Sequence, residues 1–221
     1  MTQSAAFFDL DRTLLRRSSA LALAGTFHQR GLISGRQLAK AAAWQLLFVL
    51  RGGSHEAVRR AAEDGLVVLR GFTPEAMREL VAEAMEPVLR PLVYAEPLQL
   101  VRRHRERGAA VYIVSATLQE IVQAIADDLG FDGALGTARE VRDGVYTGEA
   151  IRALHAENKA RCIGELGFDL AASTAYSDSH TDLPFLEAVG HPVAANPDRK
   201  LRRIAAARGW PVLAFRERRA A

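Results

Sequence analysis

Ala5-Ala6-Phe7-Phe8-Asp9-Leu10-Asp11-Arg12-Thr13 is a short apolar run that ends in two carboxylates one residue apart. The run is aromatic and lacks helical spacing, which predicts a strand of a parallel sheet buried on both faces. Asp9 and Asp11 then stand at the strand's carboxyl end, the edge of an open α/β sheet where ligands bind. Two acids so close repel each other unless a cation or a shared proton offsets the charge, so the pair argues for a metal. Taken alone, the stretch is also what a strand followed by an Asp-rich turn would look like. The rest of the chain has to decide.

Immediately downstream the periodicity changes. Segments 21–30, 35–51, 55–70 and 74–89 carry apolar residues at three- and four-residue spacing, separated by Gly31, Gly52-Gly53 and Gly71. Thr73-Pro74 places a capping hydroxyl before a proline at the first helical position. These segments predict a small all-helical cap domain over 16–91, starting directly after the two carboxylates and standing over them as a lid. A plain structural appendage is the other reading of such an insertion. Segment 41–50, with Trp44 and Phe48, is apolar enough to rest on a membrane or to line a lipid-phosphate pocket. A helix apolar all round is ordinarily core, so a buried cap helix is expected and membrane association is not.

Beyond the cap, strands alternate with helices. Helix 96–107 is followed by strand 110–114, helix 118–129, a weaker strand 131–137 and a hairpin over 141–146 with Asp143-Gly144 at its turn. Helix 158–166, strand 172–177, helix 182–189, strand 192–195, helix 200–208 and strand 212–215 complete the chain. The fold class is therefore α/β: a doubly wound, mostly parallel Rossmann-like sheet, with 1–15 and 92–221 as the core domain.

Composition narrows the function further. The 221 residues are 49% hydrophobic and 25% charged, ordinary for a globular chain with a sizeable core. The formal charge of +3 comes from scattered arginines, which mildly favours anionic ligands and makes no case for nucleic acid. Arg102-Arg103-His104-Arg105-Glu106-Arg107 reads as a solvated helix end, since no aromatic residues interleave. The single Cys162 rules out an internal disulfide framework and fits a packing role in a reducing compartment. With no leader-like or membrane-length segment, a cytoplasmic protein is expected, monomeric or a homodimer.

Three apolar strands converge on one edge with polar groups at their ends. Asp9 and Asp11 follow the first, Ser115 and Thr117 the second, and Asp178 the fourth, in the loop Tyr176-Ser177-Asp178-Ser179-His180-Thr181-Asp182. Four acids at one edge need a cation, and oxygen ligation with few carboxylates suits Mg²⁺ where zinc would want His or Cys. Lys159, opening the helix before the fourth strand, would reach the same edge. A metal, a lysine and a hydroxyl around a carboxylate describe a pocket for a phosphoryl group.

In these residues the sequence resembles the haloacid dehalogenase superfamily, in its phosphoserine-phosphatase-like branch with a helical cap between the first two motifs. Asp9-Leu10-Asp11-Arg12-Thr13-Leu14 resembles the first motif, 111–117 with Ser115 the second, Lys159 the third, and 176–187 with Asp178 and Asp182 the fourth. The resemblance implies a Mg²⁺-dependent phosphatase of a small phosphorylated metabolite. Asp9 would be its nucleophile, forming an aspartyl-phosphate, and Asp11 its acid and base. Ser115, Ala116, Thr117, Lys159 and Thr181 would hold the phosphate. Asp9, the Asp11 carbonyl and Asp178 would hold the metal, with Thr13 and Asp182 behind them.

Two departures bear on the substrate. Arg12 stands where the family has a small residue. Nine residues past Asp9, where phosphoserine phosphatases place an acid for the substrate ammonium, stands Ser18, flanked by Arg16 and Arg17. Another phosphomonoester is thus expected, histidinol phosphate and a lysophospholipid phosphate among the candidates. A non-catalytic module binding phosphorylated metabolites is the alternative from a different class.

Overall fold

The structure, a computed structural model, describes residues 2–36, 39, 43 and 70–217. Most of the expected helices 35–51 and 55–70, including Trp44 and Phe48, lies outside the described residues. Among those residues, no helix is long and apolar enough to cross a membrane.

The quoted stretch forms β1 (Ala5–Phe8), every residue of it buried. Side chains alternate across a strand, and here both sides are core. Ala6 and Phe8 join one apolar cluster, while Ala5 and Phe7 join another on the opposite face. Phe8 stacks on Tyr176 with ring centroids 4.4 Å apart and meets the edge of Phe131 at 5.8 Å. Phe7 packs against Tyr112 and Phe168. Each buried ring contributes about 1.5–3 kcal/mol, so these four residues anchor both layers.

Around β1 the chain builds α1 (Ser19–Gln29), α2 (Pro74–Ala84), α3 (Ala95–Glu106), β2 (Ala110–Leu118), α4 (Gln119–Leu129), β3 (Gly133–Arg142) and β4 (Val145–Arg152). Next come α5 (Glu157–Gly164), β5 (Thr174–Ser177), α6 (Leu183–Glu187), β6 (His191–Ala195), α7 (Arg199–Arg208) and β7 (Val212–Leu213). The seven-stranded sheet runs β4-β3-β2-β1-β5-β6-β7. Among the described residues, β3–β4 is the one antiparallel pair of strands in it. Val101 of α3 and Ile121, Val122 and Ile125 of α4 cover one face. Cys162 and Ile163 of α5, Phe185 and Leu186 of α6 and Leu201 of α7 cover the other. The expected doubly wound sheet is present, and Cys162 is a buried free thiol.

Several bounds differ from expectation. The 74–89 segment does not stay α-helical: it opens into a π turn at Met85–Leu89 and a 3₁₀ turn at Arg90–Leu92. Pro87 and Pro91 lack the N–H that an α-helix needs there. Strand 110–114 continues to Leu118, with a register shift between Val114 and Leu118 that bends the segment carrying Ser115, Ala116 and Thr117. The weak strand and the hairpin are one long ribbon, turning at Asp143 (φ 53°) and Gly144 (φ 80°), the paired positive values that a tight hairpin requires.

Leu23 of α1 and Met77 and Val81 of α2 share the cluster of Phe8 and Ile121. The described helices of 16–91 thus pack onto the sheet's own core.

Candidate active site

The loops after β1 and β5 and the last residues of β2 meet at the sheet's carboxyl edge. Lys159 is their hub. It sits in the first turn of α5, 3% exposed, and its Nζ donates to Asp9 Oδ1 at 2.6 Å and to Asp182 Oδ2 at 2.7 Å. Asp182 Oδ2 also accepts the Ser177 hydroxyl at 2.7 Å. The Phe185 ring lies 5.4 Å from the ammonium, a further favourable contact for a buried cation. Asp182 and Asp9 hold Lys159 above its ordinary range although burial works against its charge.

The carboxylates respond to the same crowding. Burial pushes Asp9 up to about 7, with Lys159 opposing and Asp182 and Asp11 adding to the rise. Asp178 is held well above the usual carboxylate range, by burial first and then by Asp9, with the Arg12 guanidinium pulling the other way. Asp11 is raised by burial and drawn back by the N–H of Ser19. Four acids crowd one buried ammonium, with Arg12 at their border, so burial and mutual repulsion oppose ionising all of them at once.

That imbalance fits a divalent cation held by oxygen. Among the described residues no three His, Cys, Asp or Glu side chains are grouped as ligands of one ion. A donor set here would need main-chain oxygen as well as the Asp9 and Asp178 carboxylates. Thr13 is fully buried, and its hydroxyl has no hydrogen-bond partner, leaving one polar group inside the first loop uncommitted.

The β2 loop is braced from two sides. The Ser115 hydroxyl, 3% exposed, accepts the Thr117 N–H at 3.2 Å. The Ala116 carbonyl accepts the Thr137 hydroxyl at 2.7 Å, and the same hydroxyl accepts the Leu154 N–H. The Thr181 hydroxyl pairs with the Ser179 hydroxyl at 2.9 Å in the loop that ends at Asp182. That loop is fixed by Asp198, whose main-chain N–H donates to the Asp178 carbonyl at 2.7 Å and whose carboxylate takes the His180 N–H and ring. Arg12 adopts φ 65°, its carbonyl held by the Asn196 side-chain amide at 3.3 Å.

Sequence reasoning missed Ser19, Ser177, Thr137 and Asp198. Asn196-Pro197-Asp198 before a basic helix is a recognisable start signal and marks Asp198 as a cap. Ser19 acts through its main-chain N–H, which every residue but proline has, so no residue type betrays it.

A pocket of this kind at this sheet edge defines a hydrolase of the haloacid dehalogenase type, and the comparisons agree. Residues 6–187 match the haloacid dehalogenase-like hydrolase family, and the chain belongs to it. It is 42% identical over 217 residues to a protein of Mycobacterium tuberculosis named a probable phosphatase, covering 96% of this chain and 76% of that one. It is 35% identical over 222 residues to a phosphoserine phosphatase of the same species, covering 96% and 71%. A solved structure of unknown function from Bordetella pertussis superposes with TM-score 0.81 at 33% identity, covering 96% of this chain and 99% of that one.

Proposed function

We propose that this chain is a Mg²⁺-dependent phosphomonoesterase working through a phosphorylated Asp9. The observation that carries the reading is the buried Asp9–Lys159–Asp182 bridge, with Asp178 beside it, at the edge where β1 and β5 end. Asp9 attacks phosphorus as the bond to the leaving oxygen breaks, and Asp11 gives that oxygen its proton. Water then attacks the same phosphorus, Asp11 takes its proton, and Asp9 is released with inorganic phosphate. Lys159 favours the ionised form of Asp9 and orients it, while Ser115 and the end of β2 hold the phosphoryl oxygens. A divalent ion between Asp9, the Asp11 carbonyl and Asp178 would supply the positive charge that four acids and a phosphate need. The insertion over 16–91, which begins soon after the two acids, would serve as the element that selects the substrate.

The substrate reading turns on Ser18. Its hydroxyl caps α1 by accepting the Leu21 N–H, so this position offers no carboxylate to neutralise a substrate ammonium. A phosphomonoester without an ammonium beside its phosphate fits better than phosphoserine. The test is a phosphatase panel with and without Mg²⁺, spanning p-nitrophenyl phosphate, phosphoserine, histidinol phosphate, sugar phosphates and lysophosphatidate. Mg²⁺-dependent turnover that disappears in Asp9→Asn, with phosphoserine among the weaker substrates, is expected. Metal-independent turnover, or full activity in Asp9→Asn, refutes the mechanism. Selective phosphoserine turnover refutes the reading of Ser18.

A further inference from the structure

Two hydrogen bonds from one fully buried residue tie the start of α1 to both sides of the pocket. The Ser19 N–H donates to Asp11 Oδ1 at 2.8 Å, and the Ser19 hydroxyl pairs with the Thr117 hydroxyl at 3.1 Å. Thr117 in turn donates its N–H to the Ser115 hydroxyl. An unbroken chain of contacts therefore runs from the β1 carboxylate through α1 to the β2 loop. Ser19 is the first helical residue after the Ser18 cap, where main-chain N–H groups point outward without intrahelical acceptors and the helix end is partially positive. Asp11 is gripped there by the Ser19 N–H, and the Ser19 side chain makes a second favourable contact to the same carboxylate.

We infer that Ser19 is a positioning residue: its N–H sets the orientation in which Asp11 delivers a proton to the leaving oxygen, and its hydroxyl sets the β2 loop. The inference rests on the phosphatase reading above and adds to it a specific division of labour. Because α1 opens the 16–91 insertion, the acid is aligned by the same helix that leads the chain away from the sheet. Misplacing a proton donor by an ångström costs on the order of a hundredfold when protonation is needed, and nothing when it is not.

The leaving group therefore separates positioning from mere support. p-Nitrophenyl phosphate departs without protonation, whereas phenyl phosphate, of nearly the same shape, depends on it. Ser19→Pro removes the N–H at the one helical position that tolerates proline, and Ser18 already has the extended backbone that precedes proline (φ −62°, ψ 126°). Ser19→Ala keeps the N–H and removes only the hydroxyl. With Mg²⁺ present, kcat/KM of Ser19→Pro is expected to fall about tenfold or more further for phenyl phosphate than for p-nitrophenyl phosphate. Ser19→Ala keeps the N–H grip but loses the side-chain contacts to Asp11 and Thr117, so it is expected to lower both with a much smaller difference between the two substrates than Ser19→Pro.

Equal losses on both substrates in Ser19→Pro, or none, overturn the inference. If that variant does not fold, an amide-to-ester replacement at residue 19 changes N–H to O without added volume and decides by the same ratio. Wild-type protein inert towards both substrates refutes the phosphatase reading instead, and this inference with it.

Discussion

Lys159 is the residue on which the pocket's charge balance depends. It is buried between Asp9 and Asp182, and both acids aim an oxygen at its ammonium. Breaking a buried pair by removing one partner costs about 3–5 kcal/mol, because the other charge stays behind unpaired. Lys159→Met therefore should lose activity and, in metal-free buffer, lower the melting temperature by roughly 10 °C at about 2–4 °C per kcal/mol. Ser177→Ala removes one neutral donor from Asp182 and should cost only about 1 kcal/mol. Thermal melts of both variants in chelator check the ordering. A Lys159→Met protein as stable as wild type would mean that the acids do not depend on its charge.

At the scale of elements, the site is made by where strands stop and how loops are braced. β3 passes so close to the turn between β2 and α4 that a Cβ on Gly136 would lie 2.5 Å from the Gln119 Cα and 3.0 Å from the Thr117 carbonyl oxygen. Gly136→Ala must push that turn aside. It should lower kcat/KM at least tenfold while costing about 1–3 kcal/mol of stability, measured by parallel kinetics and denaturant unfolding. Unchanged kinetics would show that the Ser115–Thr117 loop tolerates displacement.

Most of this layout was readable in the sequence. Ala5–Phe8 announces a two-faced strand because nothing polar interrupts it, and the Asp143-Gly144 turn announces a hairpin because both residues tolerate positive φ. The ribbon's length was not readable, since Arg139, Glu140 and Glu149 break the apolar alternation that marks a strand. The π turn at Met85–Leu89 was hidden because apolar spacing continues through Pro87. In the site, acids at strand ends stand out by type. Ser19 and the Asp178 carbonyl act through main-chain atoms that no residue type advertises.

Across the whole molecule, the fold buries more acids around Lys159 than one ammonium can pair, and the proposed divalent cation would make up the difference. Asp9 is pushed up to about 7 from 3.8, and Asp178 is raised as well. A carboxyl whose folded value is raised favours the folded state while protonated, and that contribution is lost as pH rises through the folded value. Metal-free protein should thus become less stable from pH 5 to pH 8. Lys159, raised from 10.5, stays charged across that window and does not reverse the trend. Under the proposed function Mg²⁺ would bind the ionised acids, so saturating ion should restore stability at pH 8 and do little at pH 5. Binding at about a hundred times the dissociation constant is worth about 2.7 kcal/mol, or roughly 5–10 °C here.

The most direct measurement is the melting temperature of wild type and Asp178→Asn at pH 5 and pH 8, in chelator and in Mg²⁺. The account predicts a Mg²⁺ shift that is large at pH 8, small at pH 5 and largely abolished by Asp178→Asn. A shift equal at both pH values, or one that survives Asp178→Asn intact, would contradict it.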